Sequence, residues 1–129
     1  MNTNPTQAEL EILNILWEDG PSTVRSINDK LNKKKKTGYT TTLKLMQIML
    51  DKNLLSRTDG KRGHIYYTES GREEIQGKLL RKFLKSTFSG SSSTLIIQAL
   101  GNHKPSKKEL HKIKELIEKL ESDENGTDK

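Results

Sequence analysis

Four polar side chains between residues 40 and 47 carry the first chemical signal in this sequence. Thr40, Thr41, Lys44 and Gln47 fall at i, i+1, i+4 and i+7, so a helix places them on one face. Two hydroxyls, an ammonium and a carboxamide suit the base edges and phosphates of a major groove. Thr42, Leu45, Met46 and Met49 occupy the opposite face, which is free to bury itself. Leu43 lies beside the polar strip and can meet either a thymine methyl or a neighbouring segment. The helix is apolar over most of its circumference and could sit wholly in a core, but such a helix would not keep an uninterrupted polar strip.

Two cationic stretches flank this helix. Lys33–Lys36 precede it, where the turn of a helix-turn-helix passes the phosphate backbone. A short charge run is usually a solvated turn. Its position here puts phosphate contact by Lys34, Lys35 and Lys36 ahead of that reading, adding affinity without sequence information. After the helix comes Asp59-Gly60-Lys61-Arg62-Gly63, a glycine-framed turn with Lys61 and Arg62 at its tip. Strands expected over Leu54–Thr58 and His64–Thr68 make it a basic hairpin.

The charge distribution agrees. From Ser22 to Thr68 there are 11 Lys/Arg against three Asp, a local +8, whereas from Glu69 onward 12 Lys/Arg nearly balance 10 Asp/Glu. The basic segment is thus the one holding the candidate reading helix, as expected of a partner for duplex DNA.

Catalytic and metal readings find little to stand on. His111 and Glu115 are i, i+4 with His103 upstream, a spacing far more often plain surface than a metal site. No nucleophile–base pair or phosphate-cradling glycine loop stands out, and no cofactor is implied. The chain has no cysteine, which fits a reducing cytosol. No apolar run approaches a membrane span, and the polar N-terminus is unlike an export signal. A cytoplasmic location without membrane contact is therefore expected.

The positioning elements follow from caps and stripes. Thr6 and Glu9 form a capping box for a first helix with Leu10, Leu13, Leu16 and Trp17 inward, stopped at Gly20-Pro21. A second helix is expected from Ser22 to Asn32 around Val24, Ile27 and Leu31. The third runs from about Tyr39 to Lys52 and ends at Asn53. The predicted architecture is mainly α with a small β-wing: a winged helix-turn-helix over residues 1–70, a three-helix dimerisation region over 71–122 and a flexible tail over 123–129.

In the C-terminal region, Ile75, Leu79, Phe83 and Leu84 make one stripe. Leu95 and Ile96 belong to a short apolar segment behind the break Ser89–Ser93. Leu110, Ile113, Leu116, Ile117 and Leu120 line a last helix opened by Ser106 and Glu109. With 30% hydrophobic residues the core must be thin. Three such helices cannot bury their stripes alone, so a homodimer with an isologous interface is expected.

The arrangement resembles the penicillinase-repressor family (BlaI/MecI/CopY). The residues that carry the likeness are Ala8–Trp17 with Gly20-Pro21, Tyr39-Thr40-Thr41, Lys52-Asn53-Leu54-Leu55 and Ile65-Tyr66-Tyr67, with a looser match at Phe83-Leu84 and Leu95-Ile96-Ile97. The resemblance implies a homodimeric repressor of palindromic operators, with Thr40, Thr41 and Leu43 facing bases and Arg62 in the wing. Leu43 departs from the polar or basic residue common there. Family members that respond to beta-lactams are cleaved at an Asn-Phe bond, whereas the matching positions here are Gln98 and Ala99. Members that respond to copper carry C-terminal cysteine motifs, which this chain lacks. The inducer or protease that would release this chain stays open. The alternative from another class is a winged-helix module that docks a protein on the Thr40/Lys44 strip; the local +8 argues against it.

Overall fold

The computed structural model describes residues 4–60 and 63–123. Six helices and one antiparallel hairpin follow in the order α1 (Gln7–Asp19), α2 (Val24–Asn32), α3 (Tyr39–Asp51), β1 (Ser56–Gly60), β2 (Gly63–Tyr67), α4 (Arg72–Phe88), α5 (Ser92–Asn102) and α6 (Lys107–Ser122). The chain forms two compact units, Met1–Lys82 and Phe83–Lys129, and the division falls inside α4. The first unit is a winged helix-turn-helix. None of the described helices is long and apolar enough to cross a membrane.

Local chemistry sets the ends of α1. The Thr6 hydroxyl accepts from the Glu9 amide, and the Glu9 carboxylate accepts from the Thr6 amide, so two orphan donors are satisfied at once. Gly20 closes the helix at φ 82°, where an L side chain would be strained, and its N–H donates to the Leu16 carbonyl. The inward face differs from the expected stripe. Ile12 is fully buried with Leu13 and Leu16, while Leu10 and Trp17 are only partly covered.

The second helix starts at Val24 rather than Ser22. Thr23 is its cap, accepting from the Ser26 amide. Ser22 instead exchanges two backbone hydrogen bonds with Tyr66, at 2.9 and 2.8 Å, and so tethers the α1–α2 link to β2. The first strand likewise begins later than expected, because Leu54 and Leu55 drop into the core before pairing starts at Ser56↔Tyr67. The second, Gly63–Tyr67, begins and ends one residue earlier than expected. Pairing continues to Gly60↔Gly63. A Cβ on Gly60 would lie 2.6 Å from the Gly63 carbonyl oxygen, so the close approach of these strands needs glycine there.

The core of the first unit gathers Ile12, Leu13 and Leu16 of α1, Val24 and Ile27 of α2, Met46 and Met49 of α3, and Leu54, Leu55 and Tyr66. Glu9 is buried beside it and forms an ion pair with Lys52 at 2.7 Å, joining the start of α1 to the cap of α3. Burial opposes ionisation of Glu9. The hydrogen bond from Lys52, the Thr6 amide and the Lys52 charge outweigh it and hold the carboxyl below its ordinary value.

A depressed carboxyl pKa contributes stability above the ordinary carboxylate range and loses it as pH falls through the folded-state value. Glu9→Gln is therefore expected to lower stability by about 1–2 kcal/mol at neutral pH. It should also flatten the acid limb of the stability profile, as read by urea unfolding across pH. An acid limb identical to that of the unsubstituted chain would show that Glu9 does not carry it.

The second unit is built differently. Ser106 and Glu109 form the capping box of α6, and the Ser91 hydroxyl caps α5 by accepting from the Thr94 amide. Phe83 and Phe88 meet edge to face at 5.4 Å. Neither α5 nor α6 has a buried residue. The residues 124–129 of the expected tail lie outside the described residues.

Candidate nucleic-acid interface

The N-cap of α3 is Gly38, which offers no side-chain hydrogen bond, and past the helix's C-terminal end Asn53 takes φ 64°. Thr42, Met46 and Met49 are fully buried, so the helix is fixed by that face. The rotation leaves Thr40, Thr41, Lys44 and Gln47 exposed together. Leu45, assigned to the inward face, is only partly covered, as is Leu43. Leu43 borders a recess between α3, the start of α2 and the hairpin. Its side chain therefore sits at the edge of the polar strip and partly against its own chain.

The lysine turn is anchored by asparagines. Asn28 Nδ2 donates to the Thr37 carbonyl at 3.0 Å and to Thr42 Oγ1 at 2.8 Å. Asn32 Nδ2 donates to the Thr37 carbonyl at 2.9 Å, and its Oδ1 accepts from the Thr37 amide at the same distance. The loop carrying Lys34, Lys35 and Lys36 is thereby tied to the first turn of α3. All three lysines are exposed, and the Lys34 and Lys35 amides donate to the Leu31 carbonyl. Lys34 and Lys35 also border a recess shared with Glu11 and Glu18 of α1, which offset part of their field. Lys61 and Arg62 lie outside the described residues.

Several residues around α3 were not assigned a DNA contact from sequence. The Arg25 guanidinium stands over the Tyr39 ring at 5.6 Å. Arg57 of β1 and His64 of β2 line the same recess as Leu43. Asp59 Oδ1 lies 3.1 Å from His64 Nδ1 and 4.0 Å from Arg57 Nε. Arg25 and Arg57 had a compositional signal as part of the basic segment. Asn28 had none, since it is one polar residue inside a helical stretch.

Of the residues assigned to dimerisation, Leu79, Leu95 and Ile113 are half-buried, while Phe83, Ile96, Leu110, Leu116, Ile117 and Leu120 are exposed. His111 and Glu115 form an exposed pair at 3.1 Å on α6. Among the described residues, no three histidine or acidic side chains come together in a metal-binding group.

A family model described as "Penicillinase repressor" matches residues 5–119. Two curated proteins, each named "Transcriptional regulator BlaI", come from Mycobacterium tuberculosis strains CDC 1551 / Oshkosh and ATCC 25618 / H37Rv. Each is 28% identical to this chain over 91 residues, covering 69% of the chain. The match spans 66% of the length of each relative.

Proposed function

The chain belongs to the penicillinase repressor family, and from that premise we propose that it is a homodimeric repressor reading a palindromic operator through α3 and the hairpin. The exposed strip of Thr40, Thr41, Lys44 and Gln47 carries this reading. It is held outward by the buried Thr42, Met46 and Met49 and has the lysine turn fastened to its N-terminal end. Thr40, Thr41, Lys44 and Gln47 face bases. Leu43 contacts them from the edge of the strip. Lys34, Lys35, Lys36, Lys61 and Arg62 meet phosphates. Leu79, Phe83, Leu95, Ile96, Leu110, Ile113, Leu116, Ile117 and Leu120 pair two copies. The name of the two mycobacterial relatives supports a regulatory role.

The test is an anisotropy titration of a palindromic duplex selected by the protein from random sequence, against a scrambled duplex. If roughly six to eight phosphates are neutralised per dimer, log affinity should fall against log salt with a slope of about −5 to −7. Thr41→Ala or Lys44→Ala is expected to cost about 1–2 kcal/mol and change which sequences are preferred. Lys34→Ala should weaken all sequences alike. Equal affinity for palindromic and scrambled duplexes would remove sequence-specific recognition.

A further inference from the structure

The recess between the start of α2, α3 and the hairpin has no part in the contacts assigned above beyond Leu43 and Gln47 on its α3 side. Its described lining includes Arg25, Arg57 and His64 and contains no carboxylate. We propose that Arg25 and Arg57 form a two-arginine clamp for the sugar–phosphate backbone of one DNA strand, with Tyr39 holding Arg25 in place. The clamp rests on the reading of the chain as a duplex-DNA binder. It adds contacts that neither the lysine turn nor the hairpin tip supplies.

The argument is one of charge and preorganisation. The two guanidiniums come from different elements, α2 and β1, and border one concavity beside the base-reading strip. A strand whose bases meet α3 must pass its phosphates along the edge of that helix. The Tyr39 ring, 5.6 Å from the Arg25 guanidinium carbon, limits the freedom of a long side chain without satisfying its N–H donors, which stay available to a phosphate. Among the described residues Arg57 has only the Asp59 oxygen, at 4.0 Å, as an ion-pair partner, and that oxygen also lies 3.1 Å from His64 Nδ1. Backbone contacts of this kind strengthen binding to every sequence and leave base preference untouched.

The experiment combines Arg25→Gln, Arg57→Gln and their lysine counterparts with a duplex carrying the sequence enriched by the unsubstituted protein. Single phosphates in it are replaced in turn by neutral methylphosphonates. For the unsubstituted protein, neutralising one or two phosphates in each half-site should weaken binding roughly three- to tenfold. Arg25→Gln or Arg57→Gln should cause a similar loss on selected and scrambled duplexes, lower the salt slope by about one per half-site, and abolish sensitivity to the methylphosphonate at its own phosphate. Arg25→Lys, which keeps the charge and loses the planar stack on Tyr39, should fall between the two, as should Tyr39→Leu.

Failure of the unsubstituted protein to bind any duplex would overturn the DNA-binding reading and the clamp with it. Specific binding by that protein, with unchanged affinity and slope in both glutamine variants, would overturn the clamp alone. A shift in the enriched sequence caused by Arg25→Gln or Arg57→Gln would also overturn it, since that identifies a base contact.

Discussion

Exchanging both Leu116 and Leu120 for aspartate is expected to leave α6 helical, convert the protein to a monomer and weaken palindrome binding by roughly 100- to 1000-fold. Ten large hydrophobic side chains are conspicuously exposed among the described residues, and all but Tyr39 and Ile48 lie on α4, α5 and α6. Leu116 and Leu120 are 55% and 59% exposed, so a charge at either position costs the isolated chain little. In a twofold interface each substitution occurs twice, and four carboxylates would replace four leucines that each contribute about 1.5–3 kcal/mol on burial.

The loss of affinity would arise without any change to α3. A dimer that engages two half-sites binds the second at a high effective concentration, whereas two monomers must each bind alone. Light scattering reads the mass, and titrations on full and half palindromes read the coupling. The unsubstituted chain should prefer the full site strongly, and the double variant should bind both duplexes alike. A double variant that keeps its dimer mass would place the interface elsewhere, and an unsubstituted chain that is monomeric would remove the dimer altogether.

The features legible in the sequence were those whose physics is local. Two capping boxes, Thr6 with Glu9 and Ser106 with Glu109, each need only residues three apart, and both form. Gly20 and Asn53 end α1 and α3 with positive φ, as their tolerance of that conformation suggests. The polar strip of α3 followed from helical periodicity, and the family likeness from short runs such as Ala8–Trp17.

What escaped the sequence depends on distant partners. Glu9 read as a cap, yet it also pairs with Lys52, 43 positions away. Ile12 looked no more inward than Leu10 until α2 and α3 chose the face of α1 that they cover. Leu54 and Leu55 read as strand because they are apolar and adjacent to one, but both are used to plug the core before β1 begins. Ser22 read as the start of the second helix and is instead paired with Tyr66, a contact that exists only once the hairpin has docked. The recess beside α3 assembles Arg25, Tyr39, Arg57 and His64 from four elements, so no spacing rule could gather them.

The second large effect is expected at Asn28, a side chain that touches no DNA in the proposed complex. Asn28→Ala should destabilise the first unit by about 3 kcal/mol. Asn28 is 9% exposed and Thr42 is fully buried, so the Thr42 hydroxyl would lose its donor where water reaches poorly, while the Thr37 carbonyl would keep the Asn32 donor alone. A small void would add to that cost.

Substitution by aspartate separates the two bonds. A carboxylate can accept from the Thr42 hydroxyl, which can rotate to donate, but it repels the Thr37 carbonyl that Asn28 now donates to. Asn28→Asp should thus disturb the lysine turn more than the helix. Thr42→Val, which removes the other end of the shared bond, should cost less than Asn28→Ala, and the double variant less than the sum, because the Thr42 bond is counted in both. Urea unfolding measures the stabilities. DNA titration under conditions where each variant is folded should show Asn28→Asp losing affinity equally on selected and scrambled duplexes, since the lysines that it displaces are the ones proposed to meet phosphates. Additive stabilities in the cycle, or unaltered DNA affinity in a folded Asn28→Asp chain, would break the link between this buried amide and the placement of the turn.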